Sequence, residues 1–114
     1  MKNINQQAVD NNISIAENHG FLTADGSNFY KTDGGILYEF TANEGYSEDA
    51  YRYSFAASMV VKDKHGNHTF FKTPRLVFSL LTEATFDKYY TVFMVSFVND
   101  MKDSANNTKP AIEE

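Results

Sequence analysis

Two stretches of this chain gather residue types suited to recognition chemistry. Between positions 62 and 75 stand Lys62, Lys64, Lys72 and Arg75 against Asp63 alone, with His65 and His68 among them. That stretch carries a formal +3 in a chain of net charge −5. A basic hairpin therefore projects from an acidic body. Phe70 lies between His68 and Lys72. A ring held outward among cations can stack a nucleobase while the cations neutralise phosphates. The second stretch runs from Phe40 to Tyr53 and mixes tyrosine with carboxylates: Glu44, Tyr46, Glu48, Asp49, Tyr51 and Arg52 around Gly45. Tyr and Arg combine large contact area with polar tips, as protein interfaces favour. Such a segment can meet a basic partner surface, or its tyrosines can fold back on the body.

Catalytic patterns find little support. There is no Gly-x-Ser-x-Gly elbow, no P-loop and no Gly-x-Gly-x-x-Gly. The chain has no cysteine, which excludes disulfides, thiolate metal ligands and a cysteine nucleophile. His65, His68 and Asp63 offer a metal two imidazoles and one carboxylate at a hairpin tip, short of a convergent, rigidly held set. Asp25, Ser27, Asp33 and Glu39 fail the spacing of a calcium loop, because the twelfth position counted from Asp25 is Ile36. Glu48-Asp49 reads as a solvated pair between strands. No cofactor and no metal are expected.

The elements that must carry these residues read as β. From Tyr51 to Val61, the odd positions are Tyr51, Tyr53, Phe55, Ala57, Met59 and Val61. Arg52, Ser54, Ala56, Ser58 and Val60 alternate with them. That is the period of a strand with one buried face. Ile36, Tyr38 and Phe40 alternate in the same way. Asp33-Gly34-Gly35 and Lys64 to His68 read as turns, and Thr69 to Thr73 as the strand returning beside 51–61. A three-residue loop centred on Gly66 would set Val61 opposite Phe71 and Met59 opposite Thr73, with Phe71 inward and Phe70 outward. A two-residue loop would slip the register by one and bury Phe70 instead. Lysines along this edge also discourage edge-to-edge pairing, which is their plainer explanation. Pro74 marks an edge position or a break before Leu76 to Leu81.

Thr82 to Val98 is ambiguous. Thr82 suits an N-cap, and Phe86, Tyr90, Phe93 and Phe97 recur at helical spacing. Tyr89 to Phe93 is nevertheless rich in β formers. The reading adopted is one helical turn over 83–88 followed by a central strand. The alternative is a single helix from 83 to 101 packed across the sheet.

Length and composition bound the rest. A chain of 114 residues, 42% hydrophobic and 22% charged, suits one domain. With ten Phe, seven Tyr and no Trp, the core must be built from phenyl and phenol rings. The net charge argues against a nucleic-acid coat or a polybasic membrane binder as the description of the whole chain. Residues 1–10 lack the apolar run of a secretory signal, so a cytoplasmic protein is expected. No span long enough for a membrane is present.

The expectation is mainly β: an antiparallel meander over residues 20–98, curled or partly barrel-like, with at most one or two short helices. Residues 1–19 read as a polar arm or short helix, and 99–114 as a disordered polar tail. The expected core is the odd face of 51–61 with Ile36, Tyr38, Phe40, Leu76, Phe78, Leu80, Phe93 and Phe97. The leading functional expectation is a non-catalytic binding or regulatory protein that occupies a protein partner through Glu44, Tyr46, Glu48, Asp49, Tyr51 and Arg52. The second is single-stranded nucleic-acid binding through Lys62, Lys64, His68, Phe70, Lys72 and Arg75. The third is a small-ligand carrier or enzyme with a pocket inside the sheet. A homodimer through the edge at Thr69 to Thr73 is a further option.

Overall fold

A computed structural model describes residues 2–43 and 52–108. Helix α1 (Lys2–Asn18) leads into six strands: β1 (Leu22–Thr23), β2 (Asn28–Asp33), β3 (Ile36–Asn43), β4 (Arg52–Lys62), β5 (His68–Lys72) and β6 (Leu76–Phe78). Helix α2 (Glu83–Val92), a π-helical segment (Phe93–Val98) and α3 (Asn99–Thr108) follow without a break. The strands form one antiparallel sheet in the order β1-β2-β3-β4-β5, and β6 also pairs with β4. The fold is mainly β, as expected, but the sheet stays open and does not close into a barrel.

Turn chemistry sets the register. Asp33 pairs with Ile36 across Gly34 and Gly35, whose φ values of 60° and 82° suit a tight two-residue hairpin. The β4–β5 connection is longer than the sequence suggests. Lys62 pairs with His68, so five residues, Asp63 to Asn67, make the turn. Val61 therefore faces Thr69, and Met59 faces Phe71, which corrects the expected pairs by two positions. A shift of two preserves the faces, because side chains alternate with a period of two. Phe71 points inward with Met59, and Phe70 points outward beside Val60.

Between β5 and β6 the ladder gains one residue. Thr73 donates its N–H to the Ala57 carbonyl at 2.9 Å, while Leu76 already pairs with Phe55. Pro74 and Arg75 thus oppose Ala56 alone, which is a β-bulge. Pro74 has no N–H to lose there. The extra residue flips the alternation, so that odd positions face inward along β5 but Leu76 and Phe78 do so along β6. Leu80, expected in the core, lies beyond the strand and is 63% exposed.

From Glu83 to Thr108 the chain is helical, which corrects the strand expected over 89–98. Thr82 caps α2 through its Oγ1, which accepts from the Thr85 N–H, and Thr85 Oγ1 in turn accepts from the Thr82 N–H. Phe86, Phe93, Val98, Met101 and Ala105 form the buried stripe. The five-residue step from Phe93 to Val98 falls in the π segment, whose wider turn keeps both on one side. The β formers of 89–93 yield to this stripe, because packing overrides propensity. Residues 99–108, read from sequence as tail, continue the helix and bury Met101 and Ala105. Helix α1 buries Ile15 and Ala16, so it belongs to the packed body.

Rings fill the space between the sheet and the helices. Phe40 lies at the centre, with the ring centroids of Phe86, Phe55 and Phe29 at 4.9, 5.3 and 5.4 Å. Phe21, Phe78 and Tyr53 surround the same ring. Lys31 meets the edge of this cluster. The Nζ donates to the His19 carbonyl at 3.1 Å and lies 4.9 Å from the Tyr90 ring centroid.

Candidate functional site

The face of the sheet turned away from the helices carries the candidate surface. Along β5 and β6 its outward residues are His68, Phe70, Lys72, then Arg75 from the bulge, then Val77. Beside them on β4 stand Lys62 opposite His68, Val60 opposite Phe70, Ser58 opposite Lys72, and Ser54 opposite Val77. The next strand adds Leu37 beside Ser58, Glu39 beside Ala56 and Thr41 beside Ser54. Phe70 is 62% exposed, Val60 54% and Val77 51%. These apolar side chains stand in a frame of the Lys62, Lys72 and Arg75 cations and the His68 imidazole.

Size differences along β4 make this face concave. Ala56 and Ser58 are small and give a low floor. Phe70, Lys72 and Arg75 rise on one side and Glu39 on the other, around a depression of about 430 Å³. Arg75 lies across β4, where its Nη1 donates to Ser54 Oγ at 2.8 Å. That bond explains why Ser54, an outward hydroxyl, is buried. Thr73 closes the end wall: its Oγ1 accepts from the Ala57 N–H at 3.1 Å. Among the described residues, Lys72 and Arg75 form no ion pair.

The hairpin tip is held by Asp63. Its Oδ1 accepts from the backbone N–H groups of His65 and Asn67 at 2.8 and 2.9 Å. Those bonds, the Asn67 N–H first, pull the Asp63 carboxyl below its usual value. Asp63 therefore acts as a turn cap, and Lys64 and His65 stand exposed beside it. No group of three or more metal-ligating side chains converges among the described residues. Asp25, weighed above for calcium, binds backbone instead. Its Oδ1 accepts from the N–H groups of Ser27 and Asn28, both at 2.8 Å, and these bonds hold its carboxyl well below the usual carboxylate range. His19 packs on Phe86 at a tilt of 31°, with ring centroids 4.3 Å apart.

The structure thus brings Lys62, His68, Phe70, Lys72 and Arg75 onto one face, with Lys64 at the tip. Glu44, Tyr46, Glu48, Asp49 and Tyr51 lie outside the described residues, and Arg52 is described only as the first residue of β4. Sequence reasoning missed Glu39, Ser54, Val60 and Val77 as members of the surface. Val60 and Ser54 were legible as even positions of β4. Val77 was not, because its face depends on the bulge.

Fold and surface together define a class: a small antiparallel-sheet domain with one face packed by helices and the other bare among the described residues. No protein-family model, no curated protein and no solved structure matches the chain. No helix among the described residues is long and apolar enough to cross a membrane.

Proposed function

We propose that this chain is a non-catalytic binding protein that occupies a protein partner through the bare outer face of β4, β5 and β6. One observation carries the reading: Phe70, Val60 and Val77 stand exposed on one face within a frame of four cationic or imidazole side chains. Apolar residues rimmed by charge mark contact surfaces. The aliphatic members favour protein over nucleic acid, since valine offers no ring for a base to stack on. The cations call for an acidic partner surface. Glu44, Tyr46, Glu48, Asp49, Tyr51 and Arg52 join the proposal as a second contact region on their composition alone. The cytoplasmic setting expected from the sequence is kept as part of it.

Single-stranded nucleic acid remains a second reading. It is favoured by the position of Phe70 between His68 and Lys72, and opposed by the net charge of −5. Affinity capture from native lysate, with and without nuclease, separates the two when the wild type is compared with Phe70→Ser. A protein retained by the wild type, lost by the variant and indifferent to nuclease is the expected result. Loss on nuclease treatment selects the second reading, and identical capture by both chains refutes the proposal.

A further inference from the structure

The geometry points to the depression at the β5–β6 bulge as an oxyanion site: we infer that it receives a carboxylate or phosphoryl group carried on an extended peptide segment, next to an apolar side chain seated on Phe70. This rests on the protein-partner reading above and names the chemistry that the partner must present.

Several features of the corner argue for it independently of the exposed apolar patch. The bulge places Arg75 on the outer face only two residues after Thr73 turns inward. A regular strand would have put Pro74 there. Bulges re-aim side chains in this way. Arg75 spends one donor on Ser54, which fixes the guanidinium across β4 and leaves its other N–H groups for a ligand. A planar donor fork anchored from behind suits a carboxylate or phosphoryl group. Lys72, the neighbouring outward residue of β5, adds a point charge. Ser58 is paired with it across the ladder and lines the same depression. Glu39 on the far wall is the one carboxylate among the lining residues, so cations outnumber it two to one. Its place opposite Ala56 orients a ligand, with the anion towards Arg75 and Lys72 and away from β3.

The depression, about 430 Å³, exceeds what one anion fills. Phe70 forms its apolar wall and continues towards Val60. A segment with an apolar side chain close to an acidic one satisfies both parts. Along an extended peptide, residues two apart share a face, as Phe70 and Lys72 themselves do. The partner motif is therefore an apolar residue and an anionic residue two positions apart.

The test uses short synthetic peptides carrying leucine and glutamate at that spacing, the same peptides with phosphoserine for glutamate, and controls with lysine there. Binding is followed by backbone amide shifts of the full-length protein and by fluorescence polarisation. The expected result is saturable binding of the glutamate or phosphoserine peptide, with shifts at Ser58, Lys72, Thr73 and Arg75 and none with the lysine peptide. The tighter of the two arms identifies the oxyanion. Arg75→Gln and Lys72→Gln should each weaken binding roughly tenfold. Lys72→Gln leaves the Arg75–Ser54 bond in place, so its effect cannot come from lost structure. Binding that depends on Phe70 yet ignores both cation substitutions overturns the oxyanion site and leaves the open-face reading standing. Absence of binding by any of the peptides overturns the oxyanion site alone, while the protein-partner reading still stands or falls on lysate capture with Phe70→Ser; preference for a single-stranded oligothymidine at the same residues overturns both.

Discussion

The two faces of β4 are built from the same eleven-residue strand and meet opposite fates. Inward, Tyr53, Phe55 and Ala57 are buried in the core with Met59 packed against it, Val61 is buried as well, and the Phe55 ring meets Phe86 of α2 edge to face and stacks on Phe93 of the π segment. Outward, Ser54, Ala56, Ser58 and Val60 carry no layer among the described residues, and charged side chains from the neighbouring strands rim them. Phe70 and Phe71 make the same contrast in adjacent positions of β5. Phe71 packs partly buried against the core, and Phe70 stands exposed on the outer face. Burial in this molecule is decided by what lies above a face, and the strand itself only sorts side chains between faces.

The contrast can be attacked from the inner face first. Phe40→Ala removes the ring at the centre of the cluster and should destabilise the fold by about 3–5 kcal/mol, read as a lower denaturation midpoint with unchanged slope. A loss near 1 kcal/mol would mean that the cluster is looser than the ring contacts indicate. Next comes the bulge. Deleting Pro74 leaves Arg75 alone opposite Ala56, so the ladder becomes regular while Leu76 stays opposite Phe55, Val77 outward and Phe78 inward. The expected loss is about 1 kcal/mol, with the Phe78 ring still protected in NMR. A loss of roughly 3 kcal/mol with Phe78 exposed would show that β6 cannot pair with β4 without the bulge.

On the outer face the effects should be small. Phe70→Ser should change stability by no more than roughly 0.5 kcal/mol, because the ring is already in water. A larger loss would reveal a packing role and undo the contrast with Phe71. Smallest of all is the acid response of the hairpin tip. The Asp63 carboxyl is held below its usual value by the N–H groups it accepts from, so its contribution to the turn is present above its unfolded pKa of about 4. That contribution is lost only as pH falls through the lower folded value. The amides of His65 and Asn67 should stay unshifted from neutral pH down to about pH 4 and move below it. Amides that stay unshifted well below about pH 4 would show that the carboxylate does not hold the turn.

Much of the sheet was readable because its signals are local. The alternation of 53–61, the Asp33-Gly34-Gly35 turn and the Thr82 cap each follow from a few neighbouring residues, and all appear in the structure. The candidate surface was half readable. The cations and Phe70 emerged from counting charge over 62–75. Their grouping with Val77 and Ser54 did not, because it needs the bulge that lets β6 pair with β4. The segment 89–98 was misread because it is apolar on both faces, and periodicity cannot then distinguish strand from helix.

What the chain determined by itself is the sorting of side chains between two faces, since pleating follows from backbone sterics and survives even a two-residue error in register. Tertiary structure alone decided which face was covered. The aromatic layer needed a lid, and a helix continuous through Val98 supplies one where a further strand would have left the rings in water. The same choice left Phe70 and its cations uncovered, because the helices lie on the opposite side of the sheet.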